Sequence, residues 1–480
     1  MIAKTDASGG TGLLAEVLAF SSSLALDRQL LREDLVGSLA HLTMLSRREI
    51  IPRPAAEQLK GGLLKIWEEA EQGTLQLPDE EDVHMAVEGL LAKRLGEPAG
   101  LLHSARSRND QVALDLRLHV REQCAEILTA LSTWVQYLAD RAEQEIDTVL
   151  PSYTHRQRAM PISLGYLMSA YGAMFARDLD AFGFALSQVD ASPLGVGAIA
   201  GTSLPTDRNI PRELLRFSAL TLNGLDTVGD RDFALDYTYA ATKLMLHASR
   251  ISTDMVDFTT AEFGYAKLDG EIACGSSMMP QKRNPDVFEL VRGKSGRAVG
   301  NLVSLLVAVK GLPAGYNRDL QEDRGPLLET GALVRSVLSI LQLSLPRVSF
   351  DKEKSRKAVE GDMMQATDVA EGLVKKGIPF RQAYKIVGSL VRRCQELGIG
   401  LGQVTPDIAS AIDPRLEGDV LATLKALDSV GRKVSIGSTG PDAVRQQIQH
   451  LREVAESARA RAAAVPRLSS LFNDLKEAGL

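Results

Sequence analysis

Residues 275–286 read Gly-Ser-Ser-Met-Met-Pro-Gln-Lys-Arg-Asn-Pro-Asp. The run sets the hydroxyls of Ser276 and Ser277, the ammonium of Lys282 and the amide of Asn284 side by side. Those donors could converge on one small anion. Loops carried on a rigid scaffold are where binding and chemistry concentrate. The plainer reading is a Gly-Ser linker that caps the next helix. Lys282, Arg283 and Asn284 packed between Pro280 and Pro285 argue against an idle linker. Glu289 follows about one turn into the next apolar-periodic segment. Buried there, its carboxylate would orient a histidine and raise its basicity; exposed, it would be an ordinary surface charge.

Three other polar clusters interrupt apolar stretches. Residues 104–111 place Arg108 and Asn109 at the start of a long periodic segment. Backbone N–H groups at a helix start bind anions, and these two side chains would add donors. Taken alone, the cluster reads more simply as a cap with solvated arginines. Residues 152–158, just past Pro151, contain Thr154 and His155. Of the seven histidines, His155 is the one best placed for acid–base work, in a polar break between helices. A lone histidine is more often structural. Residues 316–324 follow Gly311-Leu312-Pro313 and are dense in charge. Tyr316, Arg318 and Gln321 would line a polar pocket if the segment is not simply a solvated face.

Such groups need long, stiff elements to hold them. From Asn109 to Leu150 there is neither Pro nor Gly, and Leu116, Val120, Ile127, Leu131, Trp134 and Leu138 recur at helical spacing. Pro151 is expected to end that helix. Uninterrupted stretches also run from Arg231 to Phe263 and from Val287 towards Val309. The longer of these helices would reach ~50 Å at 1.5 Å per residue. Apolar residues on more than one side of them suggest burial by other subunits, and Gly293, Gly296 and Gly300 would permit close helix approach. Strand signals are weak, and residues 193–207, rich in Gly and Pro, read as an extended connection. A helix stop is expected at Lys375-Lys376-Gly377, and a helix start at Pro441. The final residues from Val465 suggest a peripheral helix. The expected organisation is an N-terminal helical domain over 1–105, a central long-helix bundle over 106–355 and a C-terminal helical domain over 356–480.

Bulk properties narrow the class. At 480 residues the chain is too long for one core. Hydrophobic residues make up 45% and aromatics only 5%, which favours helices packed through aliphatic side chains. A net charge of −6 lacks the basic face of a nucleic-acid binder. The partly apolar run from Leu13 to Leu26 is interrupted by Glu16 and has no basic cluster before it, so no signal peptide is expected. No uncharged run is long enough to span a bilayer. Cys124, Cys274 and Cys394 lie far apart, without metal-ligand spacing. A cytoplasmic protein with reduced thiols and no bound metal is expected, with Cys274 a small buried residue.

Together the four clusters resemble the fumarase/aspartase superfamily and, within it, the argininosuccinate lyase family. The superfamily's signature loop is similar to Gly275-Ser276-Ser277-x-Met279-Pro280-x-Lys282-x-Asn284. The lyase family is matched at Ser107-Arg108-Asn109-Asp110-Gln111 and at Tyr153-Thr154-His155 with Gln157-Arg158-Ala159. It is matched again at Tyr316-Asn317-x-Asp319-Leu320-Gln321-Glu322-Asp323, Asp230-Arg231-Asp232-Phe233 and Ala366-Thr367-Asp368. The resemblance runs from about Ser21 to Gln447.

This resemblance implies an all-α fold of three helical domains and a homotetramer built on a core of ~20 helices. Each composite active site is shared by three subunits. The implied reaction is reversible anti-elimination of argininosuccinate to arginine and fumarate, with no metal or organic cofactor. Ser276 matches the proposed base. Lys282 and Asn284 match the stabilisers of the doubly charged aci-carboxylate, and His155 with Glu289 matches the second acid–base candidate. Ser23, Asp27, Arg108, Asn109, Thr154, Tyr316, Arg318 and Gln321 match substrate-contact positions, and Ser277 and Asn284 are expected to bind substrate with them. The sequence departs from the family's usual residues at Arg318 (Lys), Met160 (Gln), Arg156 (Leu), Val87 (Asn) and Ser104-Ala105 (Thr-Gly), and it lacks the family's Trp-Gly-Gly-Arg-Phe opening. Two other readings stay open: a carbon–nitrogen lyase acting on another N-substituted aspartate, and a non-catalytic scaffold like the lens delta-crystallins.

Overall fold

The computed structural model describes residues 14–480. The N-terminal run considered above begins at Leu13, outside the described residues. From Ala15 it forms a short helix, Ala15–Ser21. The main helices are α1 (Leu31–Arg47), α2 (Arg53–Glu71), α3 (Val83–Leu95), α4 (Arg108–Gln144), α5 (Leu164–Gln188) and α6 (Asp232–Phe258). They continue with α7 (Asp286–Val309), α8 (Arg324–Ser344), α9 (Lys352–Glu360), α10 (Ala366–Lys375), α11 (Phe380–Leu397), α12 (Pro441–Ala463) and α13 (Leu468–Glu477). Strands are short and paired. β1 (Val149–Thr154) pairs antiparallel with β2 (Gln157–Ser163), and β3 (Ala266–Leu268) pairs with β6 (Val348–Phe350). β4 (Cys274–Gly275) pairs with β5 (Arg283–Asn284).

Local chemistry sets the helix starts. Asp82 Oδ1 accepts the Met85 N–H at 2.7 Å and caps α3. Ser107 and Asp110 form a reciprocal capping box at the start of α4. Ser163 accepts the Tyr166 N–H at 3.0 Å and starts α5. The stop after Lys375 and the start at Pro441 fall where expected, with Gly377 at φ 86°.

The central core gathers Trp134 from α4, Phe175 and Phe182 from α5, Phe233 and Tyr237 from α6 and Leu338 from α8. A second core joins α1, α2 and α3 through Leu35, Leu42, Leu63 and Leu91. A third, around Val369, Leu373, Val387, Leu390 and Val420, belongs to residues 369–424. Burial of one such Leu or Phe side chain stabilises by ~1.5–3 kcal/mol.

Several expectations are corrected. Residues 356–480 are distributed over all three cores. α12 lays Val444, Ile448, Leu451 and Ala455 into the central core. α13 returns to the N-terminal core, where Phe472 stacks on Trp67 with ring centroids 4.0 Å apart. Their apolar faces, not their chain position, decide where they pack. α4 ends at Gln144, short of Pro151, because Val149 to Thr154 pair as a strand with residues 157–163. His155 therefore occupies a hairpin tip and not a simple break between helices. Cys274 is exposed rather than buried. Among the described residues one helical run, Arg318–Arg347, is long and apolar enough by composition to cross a bilayer, yet 56% of its apolar 18-residue stretch is buried inside the protein.

Gly165 allows α5 to start against the end of α4. A Cβ there would lie 2.4 Å from the Ala142 carbonyl oxygen and 2.9 Å from Ile146 Cα, both backbone atoms. Gly165→Ala is expected to cost about 1–3 kcal/mol in urea unfolding. Gly61→Ala on α2, where a Cβ meets nothing within 4 Å, is expected to stabilise by about 0.5–1 kcal/mol. Equal effects at the two glycines would contradict this packing.

Candidate active site

The expected site residues fall into two groups, at opposite ends of the long helices. At the first end, the segment before α1 meets the segment before α8. Ser23 Oγ donates to Asp27, which is fully buried, and Arg324 Nε lies 2.7 Å from Asp27 Oδ1. Burial raises the Asp27 carboxyl, against the opposing pull of Arg324 and Ser23. Arg318 Nη2 and Gln321 Nε2 each donate to the Ser21 carbonyl at 3.0 Å. Arg318 also pairs with Glu81. Tyr316 is half-buried, and burial pushes its phenol up, with Arg324 and Arg318 acting the other way.

α4 begins at the same end. Arg108 Nε lies 3.2 Å from Asp82 Oδ2, and Arg108 Nη1 donates to Gln111 Oε1 at 2.6 Å. Asn109 Nδ2 donates to the Ala198 carbonyl at 3.1 Å. Asp110 Oδ2 accepts the N–H groups of Gly195 and Gly197 at 3.0 and 2.9 Å, so the Gly-rich connection is fastened beside Arg108. Nearby, Arg117 pairs with Asp230 and the fully buried Arg231 pairs with Asp323. The Asp230-Arg231 motif is thereby joined both to α4 and to the segment before α8.

Beneath this surface lies a buried ionic layer that sequence reasoning missed. His84 Nδ1 is 2.9 Å from Asp34 Oδ1 and 3.4 Å from Asp115 Oδ2, and all three residues are fully buried. One ligand-type atom from each lies within 4.8 Å of the others, a spacing a metal ion could use. Because Nδ1 faces two carboxylates, it serves here as a proton donor and His84 acts as a clamp between them. Burial, then the charges of Asp34 and Glu33, push the Asp115 carboxyl well above the usual range. Glu88 is the acidic centre of the outer layer, 3.0 Å from His103, 3.4 Å from Arg108 and 3.6 Å from Arg106. Burial acts to raise its carboxyl, but the His103 hydrogen bond and the two arginines outweigh it and hold it at about 2. The only sequence signal for these residues is a helical run of buried positions containing charges, which has no periodic signature.

The second end carries the acid–base candidates. β1 and β2 are joined by a two-residue turn, His155-Arg156, with φ 53° and 59°. Two left-handed residues match the twist of a tight hairpin, but without glycine each costs roughly 1–2 kcal/mol. The turn is held by its neighbours. Arg156 Nη2 lies 2.6 Å from Asp257 Oδ2, and Arg158 Nη1 lies 3.0 Å from Asp362 Oδ2. Thr154 and His155 are left exposed at the tip.

The Ser-Lys-Asn loop is a hairpin closed by the β4–β5 stem. Ser276 Oγ accepts the N–H groups of Met278 at 3.3 Å and Met279 at 3.1 Å. The Lys282 N–H donates to the Met279 carbonyl at 3.0 Å. Ser277 and Lys282 are exposed, and Asn284 is half-buried. Glu289, in the first turn of α7, is exposed. Among the described residues no hydrogen bond or ion pair joins it to His155.

The two ends are far apart. α4 has 37 residues and therefore spans about 55 Å. α6 runs back from the Arg231 end to the hairpin end, where Asp257 meets Arg156. α7 starts beside the loop and returns towards Arg318. No single chain brings Arg108 and Arg318 together with His155 and Ser276.

Comparison with known proteins agrees with these motifs. A lyase family model matches residues 16–300, and an argininosuccinate lyase C-terminal model matches residues 363–431. The argininosuccinate lyase of Bacillus mycoides (strain KBAB4) is 41% identical over 442 residues, covering 92% of this chain and 96% of that protein. The argininosuccinate lyase of Limosilactobacillus fermentum (strain NBRC 3956 / LMG 18251) is 42% identical over 436 residues, covering 91% and 95%. Among solved structures, an EDDS lyase in complex with formate is similar with a TM-score of 0.81. It is 25% identical, covering 96% of this chain and 92% of that chain.

Glu88 provides a test of the arginine end. Its folded carboxyl sits at about 2, below the 4.5 usual for a glutamate. Its contribution is therefore complete above about pH 4.5 and lost as pH falls towards 2. Glu88→Gln is expected to lower neutral-pH stability by about 1–3 kcal/mol and to flatten the acid limb over that window. Urea titrations across pH check both; an unchanged acid limb would refute the assignment.

Proposed function

The chain belongs to the argininosuccinate lyase family of the fumarase/aspartase superfamily, and from that premise we propose how its residues divide the work. The enzyme is a carbon–nitrogen lyase that converts argininosuccinate reversibly to arginine and fumarate. Arginine formation places it in arginine biosynthesis, and three unpaired cysteines support a cytoplasmic setting.

Elimination removes a proton from the carbon beside a carboxylate and leaves two negative charges on that carboxylate group. Ser276 is the base. A serine hydroxyl is a weak acid, so its alkoxide needs stabilising donors. The two loop N–H groups already directed at Ser276 Oγ support that role. Lys282 and Asn284 stabilise the aci-carboxylate, with Ser277 beside them. Thr154 holds substrate and His155 protonates the departing guanidino group, with Glu289 from another subunit orienting its ring. Ser23, Asp27, Arg108, Asn109, Tyr316, Arg318 and Gln321 hold the substrate from the opposite helix end.

The observation that carries this reading is the separation of the two groups by the length of α4. A complete site then requires several copies of the chain. A homotetramer with each site drawn from three subunits satisfies that requirement. The outer face of α7 supports it. Leu290, Val303 and Val307 are 60%, 52% and 64% exposed, and a Cβ on Gly293, Gly296 or Gly300 would meet nothing within 4 Å. Other subunits' helices would cover this face.

Purified protein is expected to release fumarate from argininosuccinate, read by its absorbance. Ser276→Ala and His155→Asn are each expected to lower kcat by at least about 100-fold. Dissociating and re-mixing these two inactive variants should restore measurable activity, because with Ser276 and His155 contributed by different subunits some mixed sites would contain only intact segments. No recovery from mixed particles of proven composition would oppose shared sites. Fumarate release only from a different N-substituted aspartate would move the substrate assignment, and Arg318 is the residue that gives that outcome its interest.

A further inference from the structure

Glu81 stands where three substrate-contact segments meet. Its carbonyl accepts the Ser23 N–H at 2.8 Å and Ser22 Oγ at 3.1 Å. Its carboxylate accepts Arg318 Nη2, and the same Nη2 donates to the Ser21 carbonyl at 3.0 Å. The next residue, Asp82, reaches Arg108. The Glu81 side chain is 13% exposed and that of Arg318 is 57% exposed. The carboxylate is therefore the fixed partner, and the guanidinium is the flexible group it holds.

Arg318 stands where the family resemblance expects lysine, and the geometry gives the difference a physical meaning. A guanidinium carries five N–H donors in a rigid plane, whereas an ammonium carries three on one nitrogen. With Nη2 engaged by Glu81 and Ser21, the Nε and Nη1 donors of Arg318 make no hydrogen bond among the described residues. A lysine making the same two contacts would keep one N–H. Fixing a long side chain in advance removes part of the entropy that binding would otherwise cost.

We propose that Glu81 is a positioning residue for the elimination: its carboxylate holds Arg318 by Nη2 so that Nη1 is presented to a carboxylate of the substrate. The proposal rests on Arg318 being a substrate contact, as assigned under the proposed function. The substrate brings several carboxylates, and Lys282 with Asn284 takes the one beside the reacting carbon. Arg318 grips another, away from the reacting atoms. Loss of Glu81 should then weaken substrate binding while leaving the chemical step nearly intact.

The test is steady-state kinetics on the full-length enzyme with argininosuccinate, for wild type, Glu81→Ala, Glu81→Gln, Arg318→Ala and the Glu81→Ala/Arg318→Ala double variant. Glu81→Ala is expected to raise KM about tenfold with kcat within about twofold of wild type. Glu81→Gln, which retains an acceptor oxygen, is expected to lie between. The double variant should be no worse than Arg318→Ala, because Glu81 acts through that side chain. In the reverse direction, the KM that rises, for arginine or for fumarate, identifies the gripped carboxylate. Unchanged or lower KM in both Glu81 variants would overturn the proposal. So would a loss that adds fully to that of Arg318→Ala, or a kinetic loss that merely follows a fall in melting temperature. An active wild type with silent Glu81 variants defeats this inference alone; an inactive wild type defeats the assigned function and this inference with it.

Discussion

A hydrogen-bonded helix cannot be shortened, and that constraint governs this protein. At about 1.5 Å per residue, α4 holds the Arg108 end and the hairpin end about 55 Å apart. α5, α6, α7 and α8 pack alongside and inherit the same two ends. Chemistry that needs groups from both ends cannot be assembled by bending one chain. It would be assembled by bringing the opposite ends of different copies together, and the exposed apolar face of α7 is where such copies would meet.

The two ends are stiffened in different ways. At the Arg108 end the device is buried polar pairing: His84 between Asp34 and Asp115, Arg231 against Asp323, and Arg324 against Asp27. The two arginine pairs are costly to desolvate, and removing one partner of either would leave an uncompensated buried charge. The arrangement therefore resists rearrangement more than it adds net stability. Cation–π contact adds to it, with Arg117 4.5 Å above the Phe233 ring. At the hairpin end the device is backbone conformation. The left-handed His155-Arg156 turn is unfavourable in isolation and is kept by the Arg156–Asp257 and Arg158–Asp362 ion pairs on either side.

The loop carrying Ser276 combines a small rigid stem with exposed polar groups. Its two strand residues on each side fix where it leaves the bundle, and Ser276 organises the backbone of the turn by accepting two N–H groups. Those bonds place positive dipoles at the oxygen that would carry negative charge in the proposed role of Ser276 as base. The exposed Met278 beside it, at 86%, shows how little of this chain alone covers the loop. Cover from other copies would exclude water and strengthen every electrostatic contact inside.

Much of this was legible in the residues. Apolar spacing identified the long helices, because a helical stripe repeats locally and needs no knowledge of its partner. Glycine and proline marked the stops near Gly377 and the start at Pro441, and residue chemistry singled out Ser276, Lys282, His155, Arg108 and Arg318. What the spacing could not supply was contact between residues distant in the chain. The hairpin around His155 depends on pairing and on flanking ion pairs, not on a glycine signal, so its local pattern resembled a break between helices. The packing of α12 and α13 into two other cores is decided by which apolar grooves remain unfilled once the rest has folded. Glu81 and Glu88 matter only through arginines that folding brings beside them. Residue types and their spacing name the groups that could perform an elimination and the helices that would hold them. That those groups stand at opposite ends of a rigid bundle emerges only on folding, because helix length and side-chain packing set distances that spacing along the chain does not record.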